Sequence, residues 1–267
     1  MFRDPLSRSR RLQRKRAYRR IIIFLGKTAL VWIFFIGFLY IPYFRIDSPE
    51  VTRAKSMLPE EVQIITRSFL QEHIWGIIPR SNFFVFLFSQ KTLSGMLRVK
   101  FPRIDMVRFK KSLPNRITIM LEERNTWSNL CNADSCFYSD EKGILFAPAP
   151  HAGGTIFFAI EDTRKTDYPL GSSFLPEEEL EKMRTLFGEI EKRTGHKFKT
   201  LHIAGEELLK YEAETDKGLR VIFDSRTDID FAVANFLTAY DGLLKEKLEN
   251  IDYIDLRLEN KVFYKYK

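Results

Sequence analysis

Cysteine and histidine are scarce in this chain and too dispersed to supply sequence-adjacent metal ligands. Two cysteines and four histidines (His73, His151, His196, His202) stand among 267 residues, with no H-E-x-x-H and no i,i+4 histidine pair. No G-x-S-x-G, P-loop or G-x-G-x-x-G occurs, which removes the motif-level case for a serine hydrolase or a nucleotide enzyme. Gly153 and Gly154, beside Pro148 and Pro150, read as a loop. Glu122–Glu123 and Glu177–Glu179 read as solvated charges at a strand edge and in a first helical turn rather than as catalytic pairs. No internal repeat or low-complexity linker interrupts the chain. These absences favour a protein without catalytic residues, cofactor, metal or small-molecule substrate.

Excess charge is also missing over most of the length. The formal net charge is +8, yet nine of the 43 basic residues lie between Arg3 and Arg20, with Asp4 the one acid among the first 20. After Arg20 acids and bases balance, so no broad nucleic-acid face is expected. The basic tail, residues 1–20, reads as a topology determinant and a contact for anionic lipid, with a nucleic-acid or partner arm as its rival.

What the chain does have is one long apolar run, "IIIFLGKTALVWIFFIGFLYI" from Ile21 to Ile41. About 20 such residues cross a bilayer as a helix. Lys27 is placed to snorkel to the headgroups. A cleaved signal peptide would have a shorter apolar core and an A-x-A-like site, which "FLYIPYFRID" does not offer. The expectation is a single-pass anchor over residues 21–43 in the cell membrane, N-terminus cytoplasmic and later domains extracytoplasmic, with Tyr40 and Tyr43 at the outer interface.

Beyond the anchor, "FRIDSPEVT" predicts a short strand, and Leu58 to His73 a helix with Val62, Ile65, Phe69 and Ile74 on its apolar stripe. A break at Gly76 and Pro79 precedes "SNFFVF", and Ser89 to Lys100 predicts a second helix. "IDMVRFKKSL" and "NRITIMLEER" predict two strands joined around Pro114 and Asn115, completing an α+β unit over residues 44–124. From residue 125 to 267 a mixed α/β domain with a mainly antiparallel sheet is expected. Its strands are "CFYSD", "GILF", "TIFFAI", "FKTLHIA", "ELLKYEAET" and "LRVIFD", with one helix from Pro176 to Thr194 and another from Asp228 to Leu248. The second helix is capped by Asp228 and lined by Phe231, Ala234, Leu237, Leu244 and Leu248. Cys131 and Cys136, with four residues between them in "CNADSC", fit a structural disulfide across a hairpin tip. Free thiols and redox chemistry are the alternatives.

The last stretch, "IDYIDLRLENKVFYKYK", alternates: Ile254, Leu256, Leu258, Val262, Tyr264 and Tyr266 against Asp255, Arg257, Glu259, Lys261, Lys265 and Lys267. This predicts a strand with one apolar and one charged face.

Taken in order, the basic tail, the span, "FPRI...LPN.ITI.LEER" from Phe101 to Arg124, "YSDEKGILF" and "YIDLR" from Tyr253 to Arg257 resemble the FtsQ/DivIB family of bacterial cell-division proteins. The resemblance covers essentially the whole chain. It implies that residues 44–124 form a POTRA-like domain and residues 125–267 the family's β domain. It implies a non-enzymatic divisome scaffold at the division septum, binding FtsB/DivIC-like and FtsL-like partners by strand addition. By position, the contacting residues are Leu258, Glu259, Asn260, Lys261, Val262, Phe263, Tyr264 and Tyr266. One departure from the family pattern is Leu258, where an aromatic often follows the "YIDLR" motif. The competing readings are a final strand that merely completes the sheet, a membrane-anchored cell-envelope enzyme, and a POTRA subunit of a protein-translocation machine.

Overall fold

The computed structural model describes residues 5–52, 59–151, 157–164, 167–205, 207–258 and 261–267, with side chains from Tyr18 onward. The chain divides into two compact units, residues 1–97 with 106–122, and residues 98–105 with 123–267.

The first unit opens with α1 (Pro5–Leu39). Its stretch Tyr18–Leu39, 22 residues, is long and apolar enough to cross a membrane. The helix runs on through the basic segment, which the sequence reading had treated only as a tail, because arginine, lysine and leucine are good helix formers. A 3-10 turn, Pro42–Phe44, ends this entry. Then follow β1 (Glu50–Thr52), α2 (Pro59–Gln71), the short hairpin β2 (His73–Ile74) and β3 (Ile78–Pro79), α3 (Phe83–Lys100), β4 (Ile104–Ser112) and β5 (Arg116–Glu123). The strands β1, β5 and β4 form a three-stranded sheet in that order, β1 parallel to β5.

Helix α2 buries Val62, Phe69 and Leu70 and ends at Gln71; Ile65 is half-buried on it, whereas Ile74, expected on the same stripe, lies in β2, and Leu58 lies outside the described residues. Helix α3 begins six residues earlier than the sequence pattern indicated. Asn82 explains the early start: its Oδ1 accepts hydrogen bonds from the backbone N–H groups of Phe84 (2.9 Å) and Val85 (3.4 Å), capping the helix. "FFVF" is thereby its first turn, with Phe83, Val85 and Phe86 buried.

The second unit holds a nine-stranded sheet. Its strands are β6 (Ser128–Cys131), β7 (Cys136–Ser139), β8 (Leu145–Ala149), β9 (Phe158–Asp162), β10 (Phe198–Ala204), β11 (Lys210–Thr215), β12 (Arg220–Asp224), β13 (Ile251–Asp255) and β14 (Phe263–Tyr266). The spatial order is β14-β13-β12-β11-β10-β9-β6-β7-β8. Most neighbours are antiparallel; β13–β12, β10–β9 and β9–β6 are parallel. Thr155 and Ile156, expected to open β9, and Gly153 and Gly154 lie outside the described residues.

Helices α4 (Glu177–Thr194) and α5 (Ile229–Ala239) contribute to the same core as this sheet. In α4, Leu180, Met183, Phe187 and Ile190 recur at helical spacing and are buried. Each such side chain contributes roughly 1.5–3 kcal/mol when fully buried. Glu177–Glu179 at the start and Lys192 and Arg193 at the end complement the helix dipole, and Gly195 closes it at φ 74°. Arg124, the last residue of the "LEER" motif, ties its segment to the "FPRI" motif. Its N–H donates to Arg103 O (2.9 Å), and its guanidinium to Pro102 O (2.9 Å) and to Asp140.

Helix α5 departs from expectation twice. Asp228 caps it, accepting from Asp230 N–H (3.0 Å) and Phe231 N–H (3.2 Å), but the buried face is Ala232, Phe236 and Tyr240, while Phe231 and Ala234 are exposed. The α-helix also stops at Ala239, widening into a π-type turn over Tyr240–Leu244. The turn rotates the following residues so that Leu244 and Leu248 still reach the core.

Cys131 and Cys136 face each other across the β6–β7 hairpin and are joined in a disulfide. Their sequence separation of 5 closes only a small loop. Loop-closure entropy gives the bond on the order of 2 kcal/mol. Cys131→Ser/Cys136→Ser is therefore expected to lower the second unit's denaturation midpoint without abolishing folding, as read from Trp127 emission.

Candidate functional site

A nine-stranded open sheet has two margins, and here they differ. At one margin, β8 carries Pro148, which has no backbone N–H to offer a neighbour. At its start the backbone is already engaged: Leu145 N–H donates to Ser172 O (2.9 Å), Gly171 N–H to Leu145 O (2.7 Å), and Ile144, just before the strand, bridges Ser173. The segment after Gly171 thus covers the Leu145 end of this margin.

At the other margin β14 pairs only with β13. All four of its residues are exposed. The phase of its backbone follows from one bond: Lys267 N–H donates to Asn250 O at 2.9 Å. By two-residue alternation Lys265 and Phe263 also turn their backbone groups toward β13. Tyr264 and Tyr266 turn theirs to the open side.

The side chains divide by cross-strand register. Tyr264 lies opposite Ile254, and Tyr266 opposite Ile251; both isoleucines are buried, so the two tyrosines share the core face of the sheet. There the core runs out, leaving Tyr264 38% and Tyr266 45% exposed. Their rings meet edge to face at 5.6 Å, and the Tyr266 hydroxyl raises the Tyr264 phenol above its ordinary pKa. Phe263, opposite Asp255, and Lys265, opposite Tyr253, lie on the other face.

The structure corrects the expected continuous strand. The strand pattern breaks after Asp255 and resumes at Phe263. Asp255 makes the break: its carboxylate accepts from Arg257 N–H (3.1 Å) and from the Arg257 Nε (2.9 Å), which turns the chain out of line. Burial works against the Asp255 charge, but these bonds outweigh it and hold the carboxyl below its usual range. Of the sequence-derived contact residues, Leu258 is exposed in the connecting loop, Lys261 is exposed after it, and Val262 packs partly against the core. Glu259 and Asn260 lie outside the described residues. Phe263, Tyr264 and Tyr266 belong to β14, so three of the eight expected residues, together with Lys265, lie on the edge strand.

Behind this edge the pairing of β13 shifts between Ile251 and Tyr253, so that Asp252 and Tyr253 together oppose Lys265. Arg220 on β12 uses the shift, bonding Asp252 and Glu212 at 2.8 Å each while its guanidinium lies 5.9 Å from the Tyr253 ring. The last two strands are thereby braced against β11 and β12. Sequence reading missed this brace, as it missed the partly covered β8 margin; Pro148 was the available signal for the latter.

The first unit has an edge strand too. Among the described residues β4 flanks β5 alone, but it carries Arg108, Lys110 and Lys111, charges that discourage a further strand.

Among the described residues no group of three His, Cys, Asp or Glu is disposed to hold a metal ion. A cleft bounded by Asn132, Asp134, Ser135, Asp162, Thr163, Arg164 and Asp167 contains a self-satisfied polar cluster. Asp162, whose side chain is 0% exposed, accepts from Arg164 Nε (2.8 Å), Arg164 N–H (3.0 Å) and the Tyr168 hydroxyl. Burial opposes the Asp162 charge, yet the Arg164 and Tyr168 bonds hold its carboxyl below the usual range. Burial, together with its bond to Glu179, pushes the Tyr211 phenol far up, so it stays protonated.

Neither a protein-family model nor a curated protein matches the chain. Its class therefore rests on its own geometry: an α+β protein with one N-terminal apolar helix and a mixed, mostly antiparallel sheet open at one margin.

Proposed function

We propose that this chain is a membrane-anchored, non-enzymatic scaffold of the FtsQ/DivIB type. In this reading α1 is retained as a single-pass anchor in the cell membrane, the unit around β1, β5 and β4 is a POTRA-like docking module, and the second unit is the β domain facing away from the cytoplasm. The scaffold holds an FtsB/DivIC-like partner, together with an FtsL-like one, during septum formation. The partner supplies an extended segment that adds to β14. Backbone bonds at Tyr264 and Tyr266 give affinity, and alternate side chains give selectivity.

The observation that carries the proposal is the contrast between the sheet's margins, β8 covered at its Leu145 end and proline-bearing, β14 open and exposed along its whole length. Lys261, Lys265 and Lys267 discourage two copies from pairing there and favour a guest strand with acidic residues.

The test is photo-crosslinking in the membrane of dividing cells, with a benzophenone side chain placed in the full chain at Phe263, Tyr264, Lys265 or Tyr266. Adducts with a small FtsB/DivIC-like membrane protein are expected from the β14 positions and not from a control at Lys192 on α4. Absence of any such adduct from all four positions would overturn the proposal.

A further inference from the structure

The corner of the first unit where α1 ends is bonded to a surface that is apolar and open. The Asn82 side-chain amide donates to Leu39 O, at the end of the helix (2.9 Å). The Tyr40 hydroxyl donates to Ile77 O, in the turn between β2 and β3, and Ile46 N–H donates to Ser81 O (2.8 Å). In the last turn of α1 the Phe38 ring lies 5.9 Å from Phe84, in the first turn of α3. The β2–β3 hairpin and the start of α3 are thus held at the level where the apolar helix finishes.

Both places expose large apolar side chains. Trp75, at the hairpin tip, is 88% exposed and takes φ 51°, next to Gly76 at φ 71°. Glycine adopts that conformation freely, but a bulky side chain there is an outlier. Trp75 thus holds a strained backbone whatever surrounds it, and its bare indole is unfavourable in water. Phe88 is one helical turn beyond Phe84, on the same face of α3, and is 87% exposed. Ile77 and Tyr43 are open as well. No charged side chain occurs from Ile74 to Pro79 or from Ser81 to Gln90; the next on α3 is Lys91.

We infer that Trp75, Ile77, Phe88 and Tyr43 seat in the interfacial layer of the bilayer, and that lipid is the occupant of this surface. The inference rests on the reading of α1 as a membrane span. Lipid is the occupant because the surface is continuous with a helix that lipid already surrounds, through the bonds at Leu39 and Tyr40. Tryptophan and tyrosine favour the headgroup level, where a ring is half in hydrocarbon and its polar atom is wet. The first unit then rests on the membrane rather than swinging from it.

The experiment uses the full chain in vesicles of phosphatidylcholine and phosphatidylglycerol whose acyl chains are brominated either near the headgroup or near the chain end. One protein keeps only Trp75 (Trp32→Phe, Trp127→Phe), and the other keeps only Trp32 (Trp75→Phe, Trp127→Phe). Trp75 is expected to lose most of its emission to shallow bromine and to resist aqueous iodide, while Trp32 loses most of its emission to deep bromine. Quenched Trp32 with iodide-accessible, bromine-insensitive Trp75 overturns the inference and leaves the span intact. Unquenched Trp32 overturns the span, and the inference with it. Should Trp127→Phe disturb the second unit, Trp75→Cys carrying a nitroxide keeps Trp127 in place, since both native cysteines are paired. Its spectrum is then expected to respond to oxygen rather than to an aqueous nickel complex, and the opposite response overturns the inference.

Discussion

Proline in place of Tyr264 is expected to weaken partner binding by about 3 kcal/mol, on the order of a hundredfold, while the second unit stays folded. Tyr264 turns its N–H to the open margin, so proline there removes a donor that the proposed guest strand would use and leaves the bonds to β13 in place. Its ring also obstructs the approach of the added strand. Phe263→Pro acts differently, because Phe263 faces β13 and its loss frees β14 from the sheet. Both variants, and deletion of Val262 to Lys267, should lose the partner, but Tyr264→Pro alone should keep amide-exchange protection in β13. Lys265→Ala removes an exposed charge and should cost no more than about 1 kcal/mol. Titration of the partner's exported segment against each variant reads the difference. Wild-type affinity in Tyr264→Pro would mean that β14 only completes the sheet, and recognition would have to be sought in the first unit.

Arg164→Met is expected to destabilise the second unit by about 3–5 kcal/mol, because it leaves the buried Asp162 carboxylate without its guanidinium partner. The backbone N–H of residue 164 and the Tyr168 hydroxyl still reach Asp162, which favours the lower end of that range. The effect should depend on pH. In the native protein the Asp162 carboxyl is held below its usual range. Its contribution is present above the unfolded value of about 3.9 and is lost as pH falls through the folded value. In the variant, burial acts without the guanidinium and raises the carboxyl, so stability falls as pH rises through the new value. The gap between the two proteins should be widest at neutral pH and narrow toward pH 4. Denaturation followed by Trp127 emission checks this; an unchanged gap would mean that Asp162 is held by Tyr168 and the backbone alone. Asp162→Asn/Arg164→Met should recover part of the loss, since the unpaired charge is gone.

Where one period ruled from end to end, the sequence was legible. α4 and β12 show the expected helical stripe or alternation within a residue or so, and the Asp228 cap was visible from its position before an apolar helix. Legibility failed where tertiary structure altered the period. Ile251 and Ile254 are both buried in one strand although three residues apart, which only the shift at Asp252 and Tyr253 permits. Even-numbered apolar residues continue from β13 into β14 because the intervening loop happens to preserve parity, so one strand and a hairpin look alike in sequence. The start of α3 was hidden for the opposite reason. "FFVF" has no polar positions from which to read a period, and only the bonds of Asn82 set its conformation. In α5 the apolar residues outnumber one face, so the stripe chosen from sequence was off by one position. The candidate edge was found as a region, but its phase, which decides between Tyr264 and Phe263, depended on the single bond from Lys267.

The contrast between β8 and β14 also sets a stoichiometry. A sheet open at both margins can be extended from either side, and such chains can stack into ladders without limit. With β8 engaged around Leu145 and carrying Pro148, the proposed strand addition would extend this sheet from the β14 side, by one guest per host. Under the proposed strand addition, further strands would have to come from the edge of the guest, and this protein would end a β ladder rather than serve as a link within one.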